Sequence, residues 1–214
     1  MTSALRRGVK RGLDACCLAL VAPCAAMCAA EVALNAHAEV LFTFWAQAFA
    51  LVPGVPGVFL RRAFYRLTLD KCAPSFCIGF GALFSHRHAT VEDDVYVGPY
   101  AIIGASRLRR GCLIGSRASI LSGGSLHALS DDQRWMPTDL SRLRRIDIGE
   151  YAWIGESCVV IADVGRSAMV AAGSVVASAV PPGIVVAGNP SRFVRRLTDA
   201  TKEVTSVETA VAIR

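Results

Sequence analysis

The run Ile148-Gly149-Glu150-Tyr151-Ala152-Trp153-Ile154-Gly155-Glu156-Ser157-Cys158-Val159-Val160 carries an aliphatic residue at every sixth position, 148, 154 and 160. The same beat runs upstream through Ile114, Ile120 and Leu126, and downstream, after a four-residue step to Val164, through Val170 and Val176. Period two would describe a half-buried strand and period three to four an amphipathic helix, so a sustained six describes a repeat architecture. Earlier members of the series are Ile78, Phe84, Val91, Val97 and Ile103. Gly79, Gly98, Gly104, Gly115, Gly149, Gly155 and Gly165 each directly follow an aliphatic residue of the series, as residues that let the chain turn a corner. The expected fold is mainly β: a parallel β-helix in which three six-residue sides close one triangular coil around an aliphatic shaft. Ile78 and Ile114 are separated by two eighteen-residue coils, so irregular steps between them cancel. The series has one long excursion. After Leu126 the chain departs as His127-Ala128-Leu129-Ser130-Asp131-Asp132-Gln133-Arg134-Trp135-Met136-Pro137 and rejoins the stack at Arg145-Ile146-Asp147-Ile148.

The 214 residues suffice for one core and an appendage, and 53% of them are hydrophobic. Much of that apolar character lies in the first sixty residues, which marks a boundary with the repeats. The net charge of +6 is spread in small separate basic groups without an aromatic-studded strip, so nucleic acid is not an expected partner. The eight cysteines, Cys16, Cys17, Cys24, Cys28, Cys72, Cys77, Cys112 and Cys158, have no zinc-type pair of pairs. Half of them sit in an apolar stretch where a thiol behaves as a small hydrophobe, which fits reduced cysteines in a cytoplasmic compartment.

Near the N-terminus, Arg6, Arg7, Lys10 and Arg11 precede an uncharged run over residues 15–30, short for a membrane span. A second apolar run covers residues 40–52 and is broken by a Val-Pro-Gly-Val-Pro-Gly sequence. Two short runs joined by polar residues suit interfacial helices or a shallow hairpin. Ala36-His37-Ala38 resembles a signal-peptidase site, but the apolar character continues past it. Over residues 58–69 the spacing predicts an amphipathic helix, with Leu60, Ala63, Phe64 and Leu67 on the packed face and Arg61, Arg62, Tyr65 and Arg66 on a solvated basic face. Such a helix would cap the first coil, and its basic back would suit an anionic lipid surface.

The runs Ile148-Gly-Glu-Tyr-Ala-Trp-Ile-Gly, Val170-Ala-Ala-Gly-Ser-Val-Val and Ala187-Gly-Asn-Pro-Ser-Arg resemble the left-handed β-helix, hexapeptide-repeat acyltransferases. The similarity is strongest to the branch of colanic-acid, maltose, galactoside and xenobiotic acetyltransferases, and it covers residues 78–196. It implies a left-handed parallel β-helix, a homotrimer, acetyl-CoA in the groove between neighbouring coils, and a histidine general base on an extruded loop. The expected organisation is a helical, partly membrane-associated N-terminal region (residues 1–73), a left-handed β-helix (residues 74–190) with an extruded loop (residues 127–147), and a C-terminal helix and tail (residues 191–214). The cofactor implied is acetyl-CoA as acyl donor, and the acceptor a saccharide or lipid-linked saccharide at the cytoplasmic face of the inner membrane.

Acyl transfer to a hydroxyl needs a base, and an imidazole is suited to that task. His37 lies in the apolar region, and His86 and His88 occupy an early side where non-shaft positions face solvent. His127, at the root of the excursion, matches the catalytic position of the family. Its orienting partner is a carboxylate or a carbonyl, with Asp131, Asp132 and Glu150 as the acidic candidates. Trp153 matches the aromatic residue common in the family at the edge of the acceptor site, and is also a candidate for cofactor binding. Ala171, Ala172, Gly173 and Ser174 form a small-residue side against which a pantetheine arm could lie. Gly188, Asn189 and Pro190 end the stack and aim Arg192, Arg195 and Arg196 at CoA phosphates. Arg142, Arg144 and Arg145, at the loop's return, are candidates for an anionic acceptor. A zinc site of the γ-carbonic-anhydrase kind would need three histidines at a spacing that His86, His88 and His127 lack, so no metal is expected. A non-catalytic scaffold at a membrane is the remaining alternative. No P-loop, dinucleotide fingerprint or Gly-x-Ser-x-Gly elbow occurs.

Overall fold

The computed structural model describes residues 3–123, 127–137 and 142–197, with side chains from Gly8 onward. The expected shaft position of Leu126 and the tail at residues 199–214 lie outside the described residues.

Five successive coils carry short strands, and a sixth closes the stack. The first coil holds β1 (Lys71–Cys72), β2 (Cys77–Ile78) and β3 (Leu83–Phe84); the second holds β4 (Thr90–Val91), β5 (Tyr96–Val97) and β6 (Ile102–Ile103). The third holds β7 (Ser106–Leu108), β8 (Leu113–Ile114) and β9 (Ser119–Ile120), and the fourth β10 (Ile146–Ile148), β11 (Trp153–Ile154) and β12 (Val159–Val160). The fifth has Val164 bridged to Ile148, then β13 (Met169–Val170) and β14 (Val175–Val176); the sixth has Val180 bridged to Val164, then β15 (Ile184–Ala187). Corresponding strands pair in parallel and form three faces: β1-β4-β7-β10, β2-β5-β8-β11-β13-β15 and β3-β6-β9-β12-β14. We call these faces A, B and C. The chain is thus a three-sided β-solenoid.

The register accounts for the irregular beat. Ile78 pairs with Val97, 19 residues on, and Val97 with Ile114, 17 residues on. The two departures from eighteen cancel. In each two-residue strand the second side chain is inward, and Ile78, Val97, Ile114, Ile154 and Val170 form one fully buried column. The glycines after these residues serve a different purpose from the one expected. A Cβ on Gly115 would lie 2.6 Å from the Glu156 nitrogen, and one on Gly155 would lie 2.5 Å from the Ala172 nitrogen, both in the next coil. None of the seven has a positive φ. The left-handed turn comes two residues later, at Tyr100, Arg117, Tyr151, Ser157 and Ser167, with φ between 52° and 60°.

Three helices precede the solenoid: α1 (Ser3–Leu34), α2 (Val40–Ala50) and α3 (Gly54–Thr68). The uncharged run underestimated α1, because Lys10, Arg11, Asp14 and Glu31 are incorporated as helical residues. Over Gly8–Leu34, 27 residues, it is long and apolar enough to cross a bilayer by length and composition. α3 begins four residues earlier than the spacing predicted, since Pro56 falls in the first turn, where a missing N–H costs nothing.

α3 closes the open end of the shaft with aromatic rings. Tyr65 packs on Phe84 at 4.9 Å between centroids, Phe76 packs on Phe84, and Phe42 of α2 stacks on Phe64. The Tyr65 hydroxyl accepts a hydrogen bond from the Phe84 N–H at 3.2 Å, and burial pushes the phenol well above its ordinary pKa.

The expected solvated face of α3 is instead buried: Arg61 is 0% and Arg62 5% exposed. Arg61 donates to the carbonyls of Val52 (2.7 Å), Phe49 (3.1 Å), Ala50 (3.3 Å) and Ile78 (3.2 Å). The C-terminal end of α2 leaves carbonyls without intrahelical donors, and one forked guanidinium supplies them. Arg62 pairs with Asp14 of α1.

The expected C-terminal helix is also corrected. Residues Arg192–Arg196 form β16, antiparallel to β15 at the end of face B. The final strand of a stacked sheet has an unpaired edge, and the returning chain covers it.

Candidate active site

The excursion leaves after β9 on face C and returns at β10 on face A, so it projects from the edge between these faces. Its two feet are joined. Gly123 adopts φ +96°, Arg144 N–H donates to the Ser122 carbonyl at 2.9 Å, and the buried Ser122 hydroxyl accepts from Ala105 N–H at 2.8 Å. A short antiparallel arm follows, with Leu129 bridged to Trp135 and the Met136 N–H donating to Ala128 at 2.8 Å. Ser130, Asp132 and Arg134 close its tip, where Arg134 pairs with Asp132 at 2.7 Å.

His127 stands at the base of this arm. Its Nδ1 lies 2.9 Å from the carbonyl oxygen of Met136. A carbonyl can only accept, so Nδ1 carries the proton and Nε2 of the neutral ring keeps its lone pair. The imidazole faces a cleft of about 850 Å³ lined by Leu121, Gly123, Trp135, Met136, Pro137 and Ile161. None of the acidic candidates is the hydrogen-bond partner of His127: Asp132 belongs to the arm's tip, Asp131 is exposed beside it, and Glu150 pairs with Arg166 at 3.6 Å. The sequence could not reveal the actual partner, because a backbone carbonyl has no residue signature. The apolar lining was missed too; large Trp135 and Met136 in an otherwise polar loop were its only signal.

The donor-side candidates lie elsewhere. On the outer surface of face B, Tyr96, Leu113 and Trp153 are stacked in register and 42%, 44% and 49% exposed. With Met169, Ser116, Glu156 and Ala172 they line a cleft of about 590 Å³. Gly173, at φ +72° with no atom within 4 Å of a Cβ position, is exposed at the next corner. Ala171 is half-buried, and Ser174 is buried with its hydroxyl accepting from Gly188 N–H at 3.1 Å. Asn189 and Pro190 are exposed at the turn into β16. Arg192 and Arg196 line a third cleft of about 390 Å³ with Ser178, Pro181 and Phe193. Arg195 is half-buried and does not line it.

Within one chain, therefore, His127 on the A–C edge and Trp153 on face B are on opposite sides of a triangular section. The return-loop arginines also separate. Arg144 pairs with Asp163 at 2.8 Å, Arg145 pairs with Asp70, and Arg142 is exposed. The other histidines have partners of their own: His86 Nδ1 lies 2.7 Å from Glu39, not in open solvent, and His88 lies 3.7 Å from Asp70. Among the described residues, no group of three His, Cys, Asp or Glu side chains could hold a metal ion.

No family model matches the chain. Sequence relatives do. WbbJ of Escherichia coli K12, named for a lipopolysaccharide-biosynthesis O-acetyl transferase, is 28% identical over 131 residues, 58% of this chain and 65% of that one. Galactoside O-acetyltransferase of the same organism is 39% identical over 59 residues, 27% of this chain and 29% of that one. The chain thus spans less than two thirds of the length of the curated relatives it matches. Among solved structures, a hexapeptide-repeat-containing acetyltransferase from Vibrio cholerae aligns over 76% of this chain and 94% of its own, at 22% identity and a TM-score of 0.49. The sixfold spacing, the three-faced solenoid it builds and these partial sequence relationships make the chain similar to hexapeptide-repeat acetyltransferases.

Proposed function

We propose that the chain is a CoA-dependent O-acyltransferase, with acetyl-CoA as donor, that acylates a sugar hydroxyl of a cell-surface polysaccharide precursor. The observation that carries this reading is the Nδ1–H of His127 held by the Met136 carbonyl, which leaves Nε2 free as a base inside a cleft. Nε2 takes the proton of the acceptor hydroxyl as its oxygen adds to the thioester carbonyl, and returns it to the departing thiolate. The names of the relatives, an O-acetyl transferase of lipopolysaccharide biosynthesis and a galactoside O-acetyltransferase, favour an oxygen acceptor on a saccharide.

The donor is assigned to face B. Small exposed Ala172 and Gly173 admit a pantetheine arm against the backbone, Trp153 supplies an apolar wall, and the exposed Arg192 and Arg196 meet the phosphates. Because that face is opposite His127 in one chain, a complete site takes the arm of one copy and face B of its neighbour, as in a homotrimer. Asp131 and Asp132 at the arm's tip offer acceptors to sugar hydroxyls. An anionic acceptor would compete with Asp163 and Asp70 for Arg144 and Arg145. The apolar N-terminal helices are assigned to the cytoplasmic surface of the inner membrane, where a lipid-linked saccharide would be met.

The test is to incubate the purified protein with acetyl-CoA and a panel of free and lipid-linked saccharides and to look by mass spectrometry for an acetylated product. Replacing His127 with Asn, with the assembly intact, is expected to lower turnover by about 10²- to 10⁴-fold. Undiminished turnover in that variant would remove His127 from the chemistry.

A further inference from the structure

The orientation of α1 is determined by where its charges go. Between Gly12 and Leu34 it has two charged residues, Asp14 and Glu31, and both turn toward the protein. Asp14 pairs with Arg62 of α3, and Glu31 lies 3.3 Å from Arg87 at the corner between β3 and β4. Arg87 is itself buried. It donates to the carbonyls of Ala38 and Cys28, pairs with Glu39, and lies over the ring of Phe42, so the α1–α2 connection is fastened to the first coil. Val21, Ala25 and Cys28 are buried along the same face, with Leu18 and Val32 half-buried. The helix is held along its length.

The opposite face has no such partner. Leu13, Leu20, Met27 and Leu34 recur every seven residues and are 47%, 67%, 45% and 90% exposed. Every exposed residue from Gly12 to Leu34 is uncharged, and only 11% of the most apolar window is buried. Val40 and Phe44 of α2, and Leu51 just past its C-terminal end, extend the surface. At the N-terminal end stand exposed Lys10 and Arg11, preceded in sequence by Arg6 and Arg7.

A single-pass orientation conflicts with this arrangement. Asp14 and Glu31 are about 25 Å apart along the axis, close to the thickness of a hydrocarbon core. Driving α1 across a bilayer would carry α3, with Arg61, Arg62 and Arg66, and the Arg87 cluster into the hydrocarbon beside it, at a cost of several kcal/mol for each charge.

We infer that α1, together with the exposed side of α2, lies flat in one leaflet of an anionic bilayer, its uncharged face in the acyl region and its basic end among the headgroups. The protein is monotopic, although α1 has the length and composition of a span. This extends the membrane assignment made above and is independent of the acyl-transfer chemistry.

Two measurements on the full chain test it. In flotation with vesicles of phosphatidylglycerol and phosphatidylethanolamine, the wild type binds, and binds less to phosphatidylcholine alone. Leu20→Glu with Met27→Glu is expected to lower the bound fraction at least tenfold, and Lys10→Glu with Arg11→Glu to lower it on anionic vesicles only. Circular dichroism melting confirms that both variants fold. Unchanged flotation of the Leu20/Met27 variant overturns the inference. So does unchanged flotation with a fall to single-subunit mass, which assigns the face to a second copy. In inside-out bacterial membrane vesicles carrying the chain with an epitope at each end, external protease is expected to remove both epitopes. Protection of the N-terminal epitope means that α1 crosses. Neither assay contains acetyl-CoA or an acceptor, so failure here leaves the acyl-transfer reading standing.

Discussion

Replacing Gly155 with Ala tests the stacking principle of the solenoid and, through it, the proposed donor face. An added Cβ would lie 2.5 Å from the Ala172 nitrogen, 2.7 Å from the Val170 oxygen and 2.8 Å from the Ala172 Cα. All three are backbone atoms of the next coil, so no side chain can rotate away. Restoring ordinary contact requires a movement of roughly 0.6–0.9 Å between coils, which also stretches the 2.8 Å bond from Gly155 N–H to Val170. Overpacking of this kind costs about 1–3 kcal/mol, offset by about 0.4–1 kcal/mol from the stiffer unfolded chain. The net cost is then centred on about 1–2 kcal/mol, and with about 2–4 °C of Tm per kcal/mol at this chain length Tm is expected to fall by roughly 2–8 °C. Gly12→Ala is the control: nothing lies within 4 Å of its Cβ position in α1, and Ala there favours the helix by about 1 kcal/mol. The displaced residue, Ala172, lines the face-B cleft. In steady-state assays the KM for acetyl-CoA should rise several-fold with kcat little changed, since the His127 cleft is on another edge. If Gly155→Ala melts like the wild type, the glycines are not spacers and the reasoning fails; if Tm falls while KM for the donor is unmoved, face B is not the donor side.

Arg61→Met should destabilise by about 2–4 kcal/mol, because the Val52 carbonyl loses its guanidinium donor and those of Phe49, Ala50 and Ile78 lose a second or only one. Thermal melting should show it, with Arg61→Lys between the two, since an ammonium cannot fork to four oxygens. Burial pushes the Cys72 and Cys112 thiols up to about 12. Their folded pKa values are raised, so the folded state holds protons that the unfolded state releases. Stability is therefore intact below the unfolded thiol range and is lost as pH rises from about 9 toward 12, by about 1.4 kcal/mol per pH unit for each thiol. Urea titrations across that range check the slope, and Cys112→Ala should reduce it. A shared site predicts complementation: His127→Asn subunits mixed with Ala172→Trp subunits, each inactive alone, should recover activity in about a quarter of the sites, those pairing an intact arm with an intact face B. Recovery of none would mean that one copy supplies both halves.

The features legible in the sequence were those enforced by a column of identical neighbours. Ile78, Val97 and Ile114 occupy one stack, so any one of them is constrained by the coil above and below, and the constraint appears as a period. Glycine at the following position is enforced the same way, but the physical reason differs from the one its chemistry suggests. Space, not a left-handed φ, selects it there, while the left-handed positions are filled by Tyr100, Arg117 and Tyr151, residue types that announce no turn. His127 could be located because it opens the one long break in the period.

What escaped reading was each case in which a side chain answers a backbone group. Arg61 looks like part of a solvated basic stripe until the carbonyls ending α2 are in place around it, and the orienting group of His127 is the carbonyl of Met136. Residues Arg192–Arg196 have the composition of a basic helix, yet the open edge of β15 recruits them as a strand. Backbone demand of this kind arises only after the chain has folded, so it leaves no periodic trace. The separation of His127 from Trp153 has the same origin. Both belong to coils that the period predicts, but which face of the prism each occupies follows from counting sides around the coil. That count sets the arm on one edge and the aromatic column on the opposite face, and so makes the second copy part of the proposed site.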